Sequence, residues 1–139
     1  MKLNITKDFT WDEMMYSHTA KVHGIDNRPS VKERSKIESA IEELVKRLLQ
    51  PLRMAYGKPI RISSGYRCPA LNNVVGGVPT SQHMKGEAAD CVVRGDASKL
   101  LGLLLAGGFP FDQAILYKKR NFLHLSLRAN NNRQQIVVR

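Results

Sequence analysis

Residues 81–90 read SQHMKGEAAD, and this stretch decides how the rest of the chain is interpreted. It places His83 in a loop and Asp90, seven residues later, inside a segment that is otherwise apolar. Burying an isolated carboxylate is unfavourable, because the charge loses its hydration. Asp90 therefore requires a cation or several hydrogen-bond donors close to it.

A second polar side chain interrupts a later apolar segment, since His124 lies within FLHLSL at residues 122–127. Two imidazoles and one carboxylate are ligand types that zinc binds. Three protein ligands with an open fourth position are typical of a catalytic zinc site. The alternative is that His124 is a hydrogen-bonded histidine of the core and that Asp90 caps a loop. The residues alone leave both interpretations open.

The pattern of apolar residues and chain breakers predicts an α+β fold in which an antiparallel sheet is flanked by helices. Ser30 and Glu33 form a capping box ahead of a long helix that ends before Gly57. Strand-like segments follow on both sides of the loop-rich stretch 65–86. The predicted elements are a short helix from Thr10, helices 30–56 and 96–106, and strands 59–64, 87–93, 111–117, 122–127 and 134–138.

The chain has 139 residues and a hydrophobic share of 42%, which predicts one domain, residues 1–139, with a substantial core. No apolar run is long enough to cross a membrane, and the N-terminus lacks the apolar segment of a secretory signal. We therefore expect synthesis in the cytoplasm, with release by another factor if the protein acts outside. The two cysteines, Cys68 and Cys91, are too few for a disulfide framework.

A formal net charge of +10, from 22 Lys and Arg against 12 Asp and Glu, indicates attraction to polyanions. Nucleic acid, an anionic membrane and an acidic cell wall all fit that charge. The basic tail contains Arg128, Arg133 and Arg139 but lacks interleaved aromatic residues that stack on bases. This composition argues against a nucleic-acid partner.

The string S-x-H-x-x-G-x-A-x-D, matched by residues 81–90, resembles the motif of the zinc D-alanyl-D-alanine carboxypeptidases. That group includes phage endolysin peptidases, vancomycin-resistance dipeptidases and, more distantly, the Hedgehog signalling domain. Residues 62–67, ISSGYR, resemble the strand and turn before the motif, and segments 111–113 and 124–126 resemble the closing strands. The resemblance runs from about Pro51 to Ser126 and implies a Hedgehog/DD-peptidase-like fold.

By that resemblance, His83, Asp90 and His124 would bind one zinc ion per chain, and a zinc-activated water would attack the peptide bond. Arg67 would bind a substrate carboxylate or polarise the scissile carbonyl, since a guanidinium is forked and permanently charged. Ser81 would hydrogen-bond the substrate or hold its own loop.

The chain departs from the family pattern at the carboxylate that takes a proton from the attacking water. Family members place this acid three residues before the last histidine, where this chain has Asn121, or at the end of the preceding strand, where it has Tyr117. Neither an amide nor a phenol is a good base at neutral pH. Three alternatives follow: Asp112 or Glu87 supplies the carboxylate, Tyr117 donates a hydrogen bond to the transition state, or the domain binds zinc without efficient hydrolysis.

The sequence thus favours a monomeric zinc peptidase that cleaves peptidoglycan stem peptides, as a D-Ala-D-Ala carboxypeptidase or as an endolysin-type endopeptidase. The lack of a secretory signal fits a phage lysin that another protein releases to the cell wall. One alternative is a zinc-binding module that recognises cell wall or a partner without cleavage. Another is a basic nucleic-acid-binding domain, motivated only by charge.

Overall fold

The computed structural model describes residues 3–139, and a five-stranded sheet forms its centre. The strands of these residues are β1 (Asn4–Thr6), β2 (Phe9–Thr10), β3 (Arg61–Ser64), β4 (Ala88–Val92), β5 (Gln113–Tyr117), β6 (Phe122–Ser126) and β7 (Gln135–Val138). The central sheet has the order β3-β4-β6-β5-β7, and β1 pairs separately with β2. The fold is therefore mixed α+β, as predicted.

Helices precede the first strand of the central sheet and also lie between its later strands in the chain. They are α1 (Trp11–Met15), α2 (His18–Val22), α3 (Arg34–Leu44), a π-helical turn (Val45–Leu49), α4 (Gln50–Tyr56), α5 (Pro69–Val74), a 3-10 turn (Gln82–Lys85) and α6 (Ser98–Ala106). Helix α6 packs against α4, β5 and β6. Across residues 3–139, no helix has the length and apolar character that crossing a membrane requires.

The long predicted helix begins four residues later than its expected cap. The Ser30 hydroxyl accepts a hydrogen bond from the Glu33 N–H at 3.3 Å, and the Ser30 carbonyl accepts one from the Arg34 N–H at 2.9 Å. Residues 31–33 form a turn, and regular α-helix starts at Arg34. Ser30 therefore caps the turn that leads into the helix.

The same helix widens into a π turn before it ends. The Gln50 N–H donates to the Val45 carbonyl, five residues earlier. Pro51 follows immediately; it has no N–H, and its ring would clash with the carbonyl four residues back in a regular α-helix. The wider turn accommodates the proline without a break. Gly57, with a φ of 76°, ends the helix where the sequence predicted.

The core lies between this helix and the sheet. Both layers contribute side chains with little or no solvent exposure, and the helical stripe consists of Ile37, Ile41, Leu44, Val45, Leu48, Leu49 and Leu52. On β6, Leu123 and Leu125 are fully buried, whereas His124 between them points to the opposite face. Period-two alternation of the strand thus separates a packing face from a face that carries polar side chains.

The prediction of an antiparallel sheet is wrong for one strand, because β7 runs parallel to β5. The chain leaves β6, crosses the beginning of β5 through residues 127–134, and returns along the far side of β5. The apolar alternation of residues 134–138 marks a strand but carries no information about its direction. The other pairs of the central sheet are antiparallel, as predicted.

The segment 65–86 is more ordered than the predicted loop. Pro69 opens helix α5, and the Cys68 thiol accepts a hydrogen bond from the Leu71 N–H at 3.5 Å. Cys68 and Cys91 are both buried and unpaired. The cysteines therefore pack, and one of them also caps a helix.

Candidate metal centre

The three predicted metal ligands come together on the polar face of the sheet. Asp90 on β4 pairs directly with His124 on β6, and His83 approaches from the 3-10 turn. Asp90 Oδ1 lies 2.9 Å from His124 Nδ1 and 3.4 Å from His83 Nε2. One candidate ligand atom from each residue lies within 4.8 Å of those of the other two.

The orientation of His83 is fixed by a hydrogen bond to the backbone. Its Nδ1 lies 2.7 Å from the Gly65 carbonyl, which can only accept, so Nδ1 carries the proton of the neutral ring. Nε2 then directs a lone pair at the Asp90 carboxylate. A second partner that holds the imidazole in this way is typical of metal-binding histidines.

The turn that carries His83 packs closely against helix α3. The Ser81 hydroxyl accepts a hydrogen bond from the His83 N–H at 3.2 Å and caps the 3-10 turn. Gly86 ends the turn with a φ of 74°, and a Cβ there would meet the Ile37 carbonyl oxygen at 2.7 Å. Glycine is therefore required at position 86 for both its backbone angle and its lack of a side chain.

Asp90 is a largely buried carboxylate whose side chain is 13% exposed. Burial alone would raise the pKa of Asp90, but the adjacent His124 and His83 rings, which hydrogen-bond to the carboxylate and attract it when they are protonated, bring it well below its ordinary value. The Arg67 Nη2 atom also stands 3.9 Å from Asp90 Oδ2. Asp90 is therefore ionised at neutral pH.

These residues fit a zinc ion by their chemistry and by their mutual orientation. Two acceptors, the His83 Nε2 lone pair and Asp90 Oδ1, face each other at 3.4 Å. Such a pair is repulsive unless a proton or a metal cation lies between the atoms. Two imidazole nitrogens and one carboxylate oxygen form a donor set that zinc accepts, with a fourth position left for water or substrate.

Arg67 is held beside this cluster by neutral partners. Its Nε donates to the Ser64 hydroxyl at 3.3 Å, and its Nη1 donates to the Asn72 amide oxygen at 3.2 Å. A Cβ at Gly77 would collide with the Asn72 amide, so the glycine makes room for this contact. Burial lowers the pKa of Arg67, and the nearby Asp90 opposes that shift. The guanidinium remains charged, since its ordinary pKa lies far above neutrality.

An open cleft of about 870 Å³ contains the cluster. Arg67, Ser81 and Tyr117 are among the residues that border it. The Tyr117 ring stacks on Phe122 with centroids 4.4 Å apart and an angle of 14° between the ring planes. The Arg120 guanidinium lies 5.5 Å from the centre of the Phe122 ring. The cleft is thus rimmed by an aromatic pair with a cation at its edge.

The structure corrects the expectation for the two candidate carboxylate bases. Asp112 is fully buried and accepts hydrogen bonds from Arg133, the shortest at 2.8 Å. Glu87 accepts a hydrogen bond from the Gln82 amide at 3.2 Å. Neither carboxylate borders the cleft. The alternation of side chains along a strand explains why Asp112 faces away. Gln113 and Tyr117 border the cleft, and Asp112 precedes them by one and five residues, so its side chain points to the opposite face.

Asn121 also has a structural task. It occupies the left-handed region with a φ of 54° at the tip of the β5–β6 hairpin. Its amide oxygen accepts the Ala97 N–H at 2.8 Å, and its amide nitrogen donates to the Gly95 carbonyl at 2.9 Å. The Asn121 side chain, at a position where the resemblance implied an acid, therefore ties the hairpin to the segment before α6.

Asn27 was not predicted to have a role at the site, but it holds the backbone of residues 66–68, next to Gly65. Its amide nitrogen donates to the carbonyls of Met15 and Tyr66 at 2.9 and 3.0 Å, and its amide oxygen accepts the Cys68 N–H at 2.7 Å. The Tyr66 N–H in turn donates to the Met14 carbonyl at 2.8 Å. The only signal in the sequence was an asparagine within a loop rich in glycine and proline.

Comparison with known proteins gives one family. A model of the family described as Peptidase M15 matches residues 7–126. The match includes all three candidate ligands together with Arg67 and Tyr117, and it stops before residues 127–139. No curated protein matches the chain.

Proposed function

The chain belongs to the peptidase M15 family, and from that premise we propose that it is a zinc-dependent peptidase that acts on cell-wall peptides. One observation carries the proposal: His83, Asp90 and His124 converge in an open cleft, with their candidate ligand atoms within 4.8 Å of one another. A purely structural site would have no reason to face an open cleft. The substrate that we propose is the stem peptide of peptidoglycan, cleaved at a D-Ala-D-Ala bond or at an internal bond.

In this proposal His83, Asp90 and His124 hold the zinc ion. When bound, zinc supplies Lewis-acid polarisation of the scissile carbonyl and an activated water at neutral pH. The Gly65 carbonyl keeps the His83 imidazole in the tautomer that leaves Nε2 free. Two of the three side chains lie on paired strands, so little reorganisation is needed when the metal binds.

Arg67 binds the anionic part of the substrate near the reacting bond. Its Nε and Nη1 groups are occupied by Ser64 and Asn72, and its Nη2 group lies at the Asp90 side of the cleft. A guanidinium held in this way loses little side-chain entropy when it forms a paired contact with a carboxylate or a carbonyl. Ser81 accepts a hydrogen bond from the His83 N–H, so its hydroxyl proton is free for a substrate carbonyl.

Tyr117 is the residue that we assign to transition-state stabilisation. Among residues 3–139, Asp90 has the one side-chain carboxylate that borders the cleft, and a metal-binding carboxylate has little capacity left to accept a proton. The Tyr117 hydroxyl is a hydrogen-bond donor that borders the same cleft. A donor directed at the developing oxyanion lowers the barrier without taking part in proton removal.

The test is hydrolysis of purified muropeptides by the zinc-loaded protein, followed by mass spectrometry of the products. We expect a defined product from the wild type and from His23→Ala, because His23 is exposed and is not among the residues that line the cleft. His124→Ala should give no product. Intact peptides after incubation with fully loaded wild type would refute the proposal.

A second candidate function rests on the same distribution of carboxylates. A cleft without a free acid suits a module that binds zinc and a cell-wall peptide but does not cleave it. Binding of muropeptides that requires zinc, measured by calorimetry with intact peptide recovered afterwards, would favour this alternative.

A further inference from the structure

The segment after β6, residues 127–134, is anchored by a fully buried carboxylate. Asp112 Oδ1 accepts the Arg133 backbone N–H at 2.8 Å, and Asp112 Oδ2 accepts the Arg133 Nη2 at 2.8 Å. The Arg128 Nε lies 3.6 Å from the same carboxylate. One buried negative charge therefore holds two arginines of this loop side by side.

The loop conformation is defined by local hydrogen bonds as well. The Asn132 amide oxygen accepts the Arg128 N–H at 2.8 Å, and its amide nitrogen donates to the Arg128 carbonyl at 3.2 Å. Asn131 and Gln134 adopt left-handed backbone angles, with φ values of 57° and 53°. Asparagine adopts this region readily, whereas the angle is unfavourable for glutamine and persists where the surroundings dictate it.

Both arginines border the cleft that contains the metal cluster. Their side chains are 41% and 46% exposed, so they remain accessible from solvent. A guanidinium carries five N–H donors, and Asp112 engages the Nε and Nη2 groups of Arg133. Further donors of Arg128 and Arg133 are left to face the cleft. Two positive charges against one negative charge also give this end of the cleft a net positive charge.

The whole cleft carries an excess of positive charge. The cations that border it are Arg67, Lys85, Arg120, Arg128, Arg133 and Arg139. Asp90 has the one carboxylate side chain among its lining residues in the part of the chain described, residues 3–139. A concave surface with such an imbalance attracts anionic ligands and orients them before contact.

The separation of the two ends of the cleft indicates which part of a ligand each end contacts. Arg128 follows His124 by four residues along an extended chain, which corresponds to about 13 Å at 3.3 Å per residue. An extended peptide also spans about 3.3–3.6 Å per residue. A peptide lying along β6 would therefore bring a side chain about four residues from the metal to the two arginines.

From these observations we propose that Arg128 and Arg133 form a subsite for a free carboxylate of the peptide substrate, distant from the bond that is cut. Asp112 is a positioning residue, because it orients both guanidiniums without touching the ligand. The inference rests on the proposed peptidase function for its substrate class. The family match ends at residue 126, so this subsite belongs to a part of the chain that the match does not describe.

The experiment compares muropeptides whose side-chain carboxyl groups are free with the same muropeptides after amidation. Dissociation constants are measured by calorimetry with zinc-loaded protein, and hydrolysis is followed in parallel. We expect wild type to bind the free acid about tenfold more tightly, since hydrogen bonds between charged partners are stronger than neutral ones. Arg128→Gln combined with Arg133→Gln should abolish that preference without changing the affinity for the amidated peptide.

The matched control removes two positive charges elsewhere. Lys99→Gln combined with Lys119→Gln has the same net charge as the test variant, and both lysines are exposed and absent from the cleft lining. This control should retain the preference. Arg128→Gln alone serves if the double variant loses zinc or unfolds, because its backbone bonds to Asn132 are kept. The difference in binding free energy between the free-acid and the amidated peptide should then fall by at least half.

The outcomes separate this inference from the function on which it rests. Cleavage of both peptides at equal rates, with equal affinities, would overturn the subsite and leave the peptidase intact. An arginine-dependent preference without cleavage would support the subsite and refute the peptidase. Equally tight binding of a DNA oligonucleotide of matched charge would assign the surface to polyanions in general and would also overturn the proposal.

Discussion

His124 lies directly opposite Asp90 in the antiparallel pair of β4 and β6, with its Nδ1 atom 2.9 Å from the Asp90 Oδ1 atom. The two strands pair through a regular antiparallel ladder, and the residues on either side of Asp90 and His124 are apolar and fully buried on the packing face. The relative placement of the two ligands is thus set by the sheet itself and not by a flexible loop.

The first prediction concerns metal content. Wild type should contain one zinc ion per chain by elemental analysis after extensive dialysis, and His124→Ala should contain close to none. Loss of one of three ligands removes a metal–ligand bond and leaves only two protein ligands for the ion. His18→Ala, at an exposed position, is the control and should retain the metal. A metal-free wild type would contradict the assignment.

The second prediction concerns Gly86. Gly86→Ala places a side chain in a left-handed backbone conformation and drives its Cβ to within 2.7 Å of the Ile37 carbonyl oxygen. We expect a loss of about 3 kcal/mol in the free energy of unfolding, together with weaker zinc binding because His83 shifts. Gly24→Ala has a similar φ but open space around it, so it should lose about 1 kcal/mol. Equal losses in urea unfolding would show that the close approach is unimportant.

The third prediction is a pH dependence at Asp112. Burial alone would raise the pKa of Asp112, but hydrogen bonds and charge from Arg133, with charge from Arg128, bring it below its ordinary value. A carboxyl with a lowered pKa in the folded chain stabilises the fold above its unfolded pKa, about 3.9. That stabilisation is lost as the pH falls through the folded value.

Asp112→Asn should therefore lower the free energy of unfolding by about 1–2 kcal/mol at pH 7, less than for a fully buried pair because Arg133 is half-exposed. The difference from wild type should shrink below about pH 4. Asp26→Asn is the control, since its partner Arg28 is exposed, and little change is expected. A loss at Asp112 that is constant with pH would mean that the ion pair does not cause it.

The fourth prediction addresses Tyr117. If its hydroxyl donates to the transition state, Tyr117→Phe should lower kcat by about 10²–10³ while KM and zinc content stay the same. Tyr16→Phe removes the same group from an exposed side chain and should have no effect. A kcat within twofold of wild type for Tyr117→Phe would exclude the phenol from the chemical step.

The fifth prediction concerns whether an aspartate at residue 121 can act as a catalytic base. The Asn121 amide donates to the Gly95 carbonyl, and an aspartate would direct a negative oxygen at that carbonyl instead. Asn121→Asp should therefore lose about 1–3 kcal/mol of unfolding free energy and gain no activity. Asn130→Asp, on an exposed loop, is the matched control. An increase in kcat for Asn121→Asp would show that the side chain can turn toward the cleft.

The assembly of His83, Asp90 and His124 was anticipated because Asp90 and His124 each interrupt an apolar segment and because the string that contains His83 and Asp90 resembles a zinc-peptidase motif. Apolar alternation also located strands β3 to β7 to within a few residues. These are local patterns, and the physical rule behind them, that charge is rarely buried without a partner, applies whatever the tertiary structure.

Features that depend on distant partners escaped the sequence. The direction of β7 is set by the path of residues 127–134, and nothing in the strand itself encodes it. Helix α5 begins with a cysteine cap, which is not among the residues that usually mark a helix start. The pairing of Asp112 with Arg133 joins residues 21 positions apart, so the carboxylate could be counted as a candidate base until its partner was known.

The hydrogen bonds made by Asn27 and Met14 mean that the metal site depends on residues that precede its ligands in the chain. A truncated protein that starts at Pro29 would keep every residue of the cleft. It would nevertheless lose the groups that fix the backbone of Tyr66 and Cys68, next to the Gly65 carbonyl that orients His83. The N-terminal segment thus fixes the backbone that orients the His83 imidazole. Its removal should release the metal under conditions in which the sheet is still folded.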